Sequence, residues 1–105
     1  MNNYDVVYSP LSLADMDAAW DDIYAVCCDV ETADNYIFEL MDEIDEISKH
    51  PKTGERLIFD DVFTGIYYVN HKKYSAFYRI RDKYIEVGRV LYNRGDYISK
   101  ILKFK

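Results

Sequence analysis

The side chains of this sequence that could do chemistry are clustered carboxylates, clustered cations and two adjacent cysteines. Cys27 and Cys28 are neighbours in a helical pattern, so their side chains point about 100° apart and are poorly placed to bridge each other. His50 and His71 are distant in sequence, and the usual spacings of zinc ligands are absent. We therefore expect the cysteines to be buried filler, and we expect neither a metal nor a cofactor.

Most carboxylates stand at helical spacing in the first half of the chain. This pattern is typical of a solvated helix face rather than of a catalytic acid–base pair. The sequence contains no P-loop, no glycine-rich dinucleotide fingerprint, no HExxH motif and no nucleophile elbow. The enzyme classes built on those motifs are therefore not indicated.

The charge is divided unevenly along the chain. The net charge is −6, but residues 1–50 hold 13 Asp/Glu against one Lys, a net of −12. Residues 51–105 hold 12 Lys/Arg against 6 Asp/Glu, a net of +6. Such asymmetry indicates either a basic half that meets a polyanion or an acidic protein segment, or two solvated faces that differ in sign.

Length and composition predict one folded domain over residues 1–105. Half of the residues are hydrophobic and 16% are aromatic, unlike a disordered chain. No stretch approaches the roughly 20 apolar residues that span a bilayer, and the first residues do not resemble a signal peptide. We expect a cytoplasmic protein with no membrane partner.

The pattern of the first half predicts a strand and a helix. Residues 4–8 are rich in β-branched and aromatic side chains and stop before Pro10, as a short strand would. Ser12 then resembles the N-cap of a helix. The apolar residues that follow share one helical stripe: Leu13, Met16, Trp20, Ile23, Tyr24 and Cys27.

A second helix is predicted from Thr32 to about residues 48–50, because the residue before Pro51 is pushed out of the α region. Its stripe of apolar residues is Ala33, Tyr36, Ile37, Leu40, Met41, Ile44 and Ile47. The break at residues 29–31 is too short for anything but antiparallel pairing of the two helices. We expect Trp20 and Leu40 to be buried between this hairpin and a sheet.

The second half predicts a turn at residues 51–54 and strands at residues 62–69, 74–80 and 84–91, joined by hairpins. The tail, residues 96–104, reads as a short helix or an irregular cap. The expected fold is therefore α+β: an N-terminal strand and an antiparallel helical hairpin packed on a three- to four-stranded antiparallel sheet.

Arg89 is the residue that disturbs this pattern. In the last strand it has the same parity as Ile85, Val87 and Leu91, and a buried unpaired Arg is costly. Either a bulge near Gly88 redirects it, or it pairs with a helix carboxylate. The sequence leaves both explanations open.

Several segments in their order and spacing resemble the RelE/ParE superfamily of bacterial toxins. They are the opening Tyr-Asp-Val-Val-Tyr-Ser-Pro, the helical hairpin, residues 51–54, and the runs at residues 73–80 and 85–97. The resemblance covers nearly the whole chain and implies the toxin of a type II toxin–antitoxin (plasmid stabilisation) pair. It implies a cognate antitoxin as partner and, as target, either DNA gyrase (ParE-like) or ribosome-bound mRNA (RelE-like).

A metal-independent ribonuclease needs a base, a proton donor and cations on the phosphate. The resemblance places such a basic position at Arg94 and puts Tyr97 near a tyrosine that some members use. Arg79 supplies further charge without matching the motif and is the third catalytic candidate if the chain is a ribonuclease. Where RelE-like members have a Tyr-Arg pair, this sequence has Tyr74-Ser75, so we expect the ParE-like target narrowly over the nuclease.

For partner binding, the candidates are five basic residues and one tyrosine of the second half: Lys72, Lys73, Arg79, Arg89, Tyr92 and Arg94. Tyrosine and arginine are favoured at interfaces. A stand-alone, non-toxic interaction module is the alternative from a different functional class. We leave open whether the chain forms a homodimer.

Overall fold

The computed structural model describes residues 4–93, so the predicted tail at residues 96–104 lies outside the described residues. The elements in chain order are β1 (Asp5–Tyr8), α1 (Pro10–Cys27), α2 (Val30–Ser48), a 3₁₀ turn (Pro51–Thr53), β2 (Glu55–Phe59), β3 (Val62–His71), β4 (Tyr74–Ile80) and β5 (Tyr84–Tyr92). Among these residues, no helix is long and apolar enough to cross a membrane.

The five strands form one mixed sheet in the order β1-β5-β4-β3-β2. β1 runs parallel to β5, and the other neighbours are antiparallel. The predicted α+β fold is confirmed, but the sequence analysis missed β2. Its turn to β3 is Asp60-Asp61, both at positive φ (57° and 64°), which lacks the glycine that usually marks a two-residue hairpin.

α1 begins earlier than predicted, at Pro10, with Ser9 as its N-cap. Ser9 Oγ accepts a hydrogen bond from the Ser12 amide at 3.0 Å, and Pro at the first helical position is preset for the helix. The assignment of Ser12 as the cap was wrong. Ser12 is buried inside the first turn, where its hydroxyl donates to the Ser9 carbonyl at 2.8 Å.

α2 also begins earlier than predicted, at Val30, because Asp29 and not Thr32 is the N-cap. The Asp29 carboxylate accepts from the Thr32 amide at 3.1 Å. The helix ends at Ser48, as the proline rule predicted. Only two residues join the helices, and Cys28 turns the chain in the left-handed region (φ 56°), which produces the antiparallel hairpin.

The core lies between the hairpin and one face of the sheet. The predicted α2 stripe is confirmed: Ala33, Leu40 and Ile44 are fully buried. Leu40 and Ile44 belong to the main core, and Tyr36, Ile37, Met41 and Ile47 pack against it. The buried core residues from the strands include Tyr74, Ala76, Tyr78, Ile85, Val87 and Val90. The opposite sheet face carries a smaller cluster, Leu57, Ile66 and Phe77. This division follows the alternation of side chains along β4, where Tyr74, Ala76 and Tyr78 face the main core and Phe77 faces the smaller cluster.

The α1 stripe is only partly correct. Met16 is buried with Ala19, but Leu13 and Tyr24 are exposed, and Trp20 is half-buried outside the core cluster. Large apolar residues lie on more than one side of α1, so periodicity alone did not identify the side that packs on the sheet. The expectation that Trp20 is buried between hairpin and sheet is therefore wrong.

The cysteines are not buried filler either: Cys27 is half-buried and Cys28 is exposed, because both lie where the chain leaves α1. Among the described residues, no group of His, Cys, Asp and Glu side chains could hold a metal ion.

Candidate partner-binding groove

A groove lies between the tip of the helical hairpin and the β3–β4 turn. Its volume is about 730 Å³, and its wall is mostly apolar. α1 and α2 contribute Asp22, Ile23, Val26, Cys27, Thr32 and Tyr36, and the sheet contributes Lys73, Tyr74 and Tyr92. We call this site the tyrosine groove, after Tyr36, Tyr74 and Tyr92.

The three tyrosines hold each other edge to face. The ring centroids of Tyr36 and Tyr74 lie 5.9 Å apart at 85°, and those of Tyr74 and Tyr92 lie 5.3 Å apart at 77°. Such geometry is the preferred one for aromatic pairs. Each ring therefore contacts the next along the wall of the groove.

The β3–β4 turn is fastened to α2 by polar contacts. The Tyr36 hydroxyl accepts from the Lys73 amide at 3.0 Å. Glu39 Oε1 lies 3.1 Å from His71 Nε2 and 3.3 Å from Lys72 Nζ, and the Lys72 ammonium sits 5.1 Å above the Tyr36 ring. Hydrogen bonds from Lys72 and then from His71 lower the pKa of Glu39, so its carboxylate stays ionised.

Burial raises the pKa of Tyr74, with smaller contributions from Asp22, Tyr36 and Tyr92. Its hydroxyl is therefore neutral at physiological pH and can donate or accept a hydrogen bond within the groove. Tyr92 is 39% exposed and Val26 is 87% exposed, so the groove presents apolar surface directly to solvent. The arrangement is suited to binding an apolar or aromatic side chain.

The structure brings together three of the predicted partner-binding residues. Lys73 and Tyr92 line the groove, and Lys72 lies on the turn beside it. The sequence analysis missed Val26 and placed Tyr36 in the core. An exposed valine one residue before the end of α1, off the core stripe, is the signal that could have identified Val26.

Arg89 lies elsewhere and is paired. Its Nε and Nη2 donate to Asp15 Oδ2 at 2.8 Å and Oδ1 at 3.0 Å, with both side chains mostly buried. This hydrogen bonding raises the pKa of Arg89. Both explanations that the sequence left open are therefore correct. Arg89 pairs with a helix carboxylate, and it also follows a bulge: Phe77 pairs with Arg89 and Tyr78 with Val87, which leaves Gly88 as the extra residue.

The corner between β1 and α1 completes this arrangement. β1 stops pairing with β5 at Val87, and beyond that point Asp15 Oδ2 accepts from the Val90 amide at 2.9 Å. The Ser9 hydroxyl donates to the Gly88 carbonyl at 2.9 Å. Ser9 and Asp15 thus satisfy backbone groups that β1 does not reach.

Of the predicted nuclease candidates, the described residues include only Arg79. Arg79 lies half-buried on β4, and Arg94 and Tyr97 lie outside residues 4–93. Ser75 is buried, and its hydroxyl contacts the side-chain oxygens of Asn70 and Asn93. A small polar cluster therefore occupies the position where the resemblance would place a cation.

Comparison with known proteins gives one family and several similar structures. The family model described as the ParE toxin of the type II toxin–antitoxin system parDE matches residues 6–97. A chain from the chromosomal ParDE system of P. aeruginosa has a TM-score of 0.72 at 18% identity, with 88% of this chain and 98% of that chain covered. A chain from the toxin–antitoxin complex RelBE2 of Mycobacterium tuberculosis has a TM-score of 0.56 at 20% identity, with 91% and 97% covered. No curated protein sequence matches significantly.

Proposed function

Since the chain belongs to the ParE toxin family of type II toxin–antitoxin systems, we propose that it inhibits growth until a cognate antitoxin segment occupies the tyrosine groove. The observation that carries this proposal is the groove itself. It combines exposed Val26 and Tyr92 with a wall of tyrosines packed edge to face. Exposed apolar surface of this kind marks binding sites in soluble proteins.

The groove also defines the chemistry of its occupant. Ile23, Val26 and Tyr92 accept an apolar or aromatic anchor, and desolvated aromatic pockets of this type usually carry most of the binding energy of an interface. Lys73 on the sheet side favours an acid in the segment, whereas Asp22 on the helix side favours a base. An amphipathic helix with apolar anchors one turn apart fits such a site.

For the cellular target, we propose DNA gyrase rather than ribosome-bound mRNA. The support is the family match, the buried Ser75 at the position of the expected cation, and the strand segment 65–69, which contains no Lys or Arg. Phosphate stabilisation by a nuclease needs preorganised cations. The RelE-like alternative draws its support from the net charge of +6 in residues 51–105 and from Arg94.

Induced expression without antitoxin separates these targets. We expect altered plasmid supercoiling or DNA damage while transcripts stay uncut. Cuts in ribosome-bound mRNA on induction, abolished by Arg94→Ala, would establish the nuclease instead. Normal growth at full expression, with intact DNA and mRNA, would leave the non-toxic interaction module as the function.

A further inference from the structure

A second exposed apolar surface lies on the hairpin, away from the groove. Trp20 stacks on Tyr24, one helical turn later, with ring centroids 5.3 Å apart and an interplanar angle of 8°. The Trp20 indole N–H crosses to α2 and donates to Asp34 Oδ1 at 2.8 Å. The rings therefore lie along the line where the two helices meet.

Two more side chains extend this line. Leu13 is seven residues before Trp20, and Phe38 is four residues after Asp34, so each shares a helix face with its neighbour. Leu13 is 48% exposed, Tyr24 is 40% exposed and Phe38 is 60% exposed. We call Leu13, Trp20, Tyr24 and Phe38 the outer seam. None of its members lines the tyrosine groove.

The surroundings of the outer seam are strongly acidic. α1 and α2 together carry eleven Asp/Glu and no Lys or Arg. Asp17 and Asp21 lie within one turn of Trp20, and Asp42 lies one turn after Phe38. Within residues 4–93, none of these three carboxylates takes part in an ion pair.

We infer that the outer seam is a docking surface for a cationic amphipathic segment of a partner protein, with one or two apolar side chains flanked by Lys or Arg. Charge complementarity selects this occupant. A second hairpin would bring like charges together, and nucleic-acid phosphates or an anionic lipid surface would be repelled in the same way. Trp20 and Tyr24 add ring faces that attract a Lys or Arg side chain.

The two surfaces have different occupants and different positions. The tyrosine groove opens toward the β3–β4 turn, whereas the outer seam follows the contact between α1 and α2. This inference does not depend on the proposed toxicity, because it concerns binding alone.

Trp20 provides a direct probe, since it is the single tryptophan of the chain. The ligand is a short tryptophan-free helical peptide of Leu, Ala, Lys and Arg, titrated into the full chain. We expect a saturable change in Trp20 emission that weakens with salt. The same peptide with Glu in place of Lys and Arg should give no change.

Matched variants test whether the seam itself is the site. Phe38→Ser should weaken binding about tenfold, the usual size of one lost interface anchor, whereas Val62→Ser, equally apolar and exposed but on the β2–β3 hairpin, should not. The double variant Asp17→Asn, Asp21→Asn should weaken binding more than the double variant Glu55→Gln, Asp82→Asn, which removes two exposed acids outside the hairpin. Circular dichroism of each variant serves as the control for folding.

Four results would overturn the inference. Three concern the peptide: an unchanged Trp20 emission, equal affinity of the Phe38→Ser and Val62→Ser variants, and loss of binding in Tyr92→Ser. The second would mean attraction by charge alone, and the third would place the peptide in the tyrosine groove. The fourth result is that the free chain sediments as a dimer and that Phe38→Ser disrupts this dimer. The occupant of the seam would then be a second copy of the chain.

Discussion

Asp15 and Arg89 form a two-point ion pair that joins α1 to the bulge of β5, and the same carboxylate also accepts the Val90 amide. One side chain thereby fixes the corner between β1 and α1, the redirected Arg89 and an open strand edge. The pair explains why an arginine is tolerated at a position of core parity.

Removing this carboxylate should destabilise the fold more than removing any exposed acid. Asp15→Ala leaves Arg89 and the Val90 amide without their partner, and we expect a loss on the order of 2–3 kcal/mol in chemical denaturation. Asp15→Asn keeps an acceptor for Val90 and should cost less. Asp17→Ala, an exposed acid on the same helix, is the control and should change stability by less than about 0.5 kcal/mol. Equal stability of Asp15→Ala and Asp17→Ala would contradict the structural role.

Position 54 requires glycine because the Tyr78 hydroxyl leaves no room for a Cβ, and not because of the backbone angles of Gly54. A Cβ at this position would lie 2.1 Å from Tyr78 Oη, which donates to the Pro51 carbonyl at 2.6 Å. Gly54→Ala should therefore cost about 1–3 kcal/mol, the usual range for overpacking. In a Tyr78→Phe background the same substitution should cost clearly less, because the clashing oxygen is gone. Additive losses in thermal melts would disprove the contact.

Leu40 and Trp20 were both expected to be buried, but the structure predicts different costs for removing them. Leu40→Ala should cost about 2–5 kcal/mol because Leu40 is 1% exposed. Trp20→Ala should cost less, since Trp20 lies outside the core cluster and makes a single hydrogen bond to Asp34. If Trp20→Ala proved the more damaging in denaturant titrations, the outer seam would belong to the core.

Tyr8 gives a pH dependence whose sign is fixed by its burial. Burial, and then the charge of Asp45, raise the pKa of Tyr8 to about 12. A raised pKa means stability that is complete below the ordinary value of about 10 and is lost as pH rises through the folded value.

The Tyr8 hydroxyl makes no hydrogen bond to the described residues, so Tyr8→Phe should leave stability at neutral pH unchanged or slightly higher. Near pH ~11 the variant should exceed the wild type by about 1 kcal/mol. Parallel alkaline unfolding curves for the two proteins would refute the burial of this hydroxyl.

The sequence predicted the elements whose periodicity is strong and long. The α2 stripe and the end of α2 before Pro51 were correct, because each rests on a local steric or burial rule. Ser9 was missed as the N-cap of α1, because Ser9-Pro10 and Ser12 are both plausible helix N-termini and lie only three residues apart. β2 was missed because Asp60-Asp61 is an unusual hairpin turn.

The groove could be predicted only in part. Lys72, Lys73 and Tyr92 were named as partner residues because of their type, but their meeting with Tyr36 and Val26 depends on how the hairpin lies on the sheet. Arg89 was named for its charge, and only the tertiary structure shows that Asp15 holds it. A pattern in one sequence does not contain such distances.

The account's central claim is that an antitoxin segment neutralises this toxin by filling the tyrosine groove, and co-expression with a groove variant tests it most directly. In cells that co-express the cognate antitoxin, growth is measured after induction of the wild type, Val26→Asp or Val62→Asp. We expect Val26→Asp to arrest growth despite the antitoxin, because a charge in the groove blocks docking, whereas the wild type and Val62→Asp stay neutralised. Full neutralisation of Val26→Asp, with all three chains toxic when expressed alone, would contradict the claim.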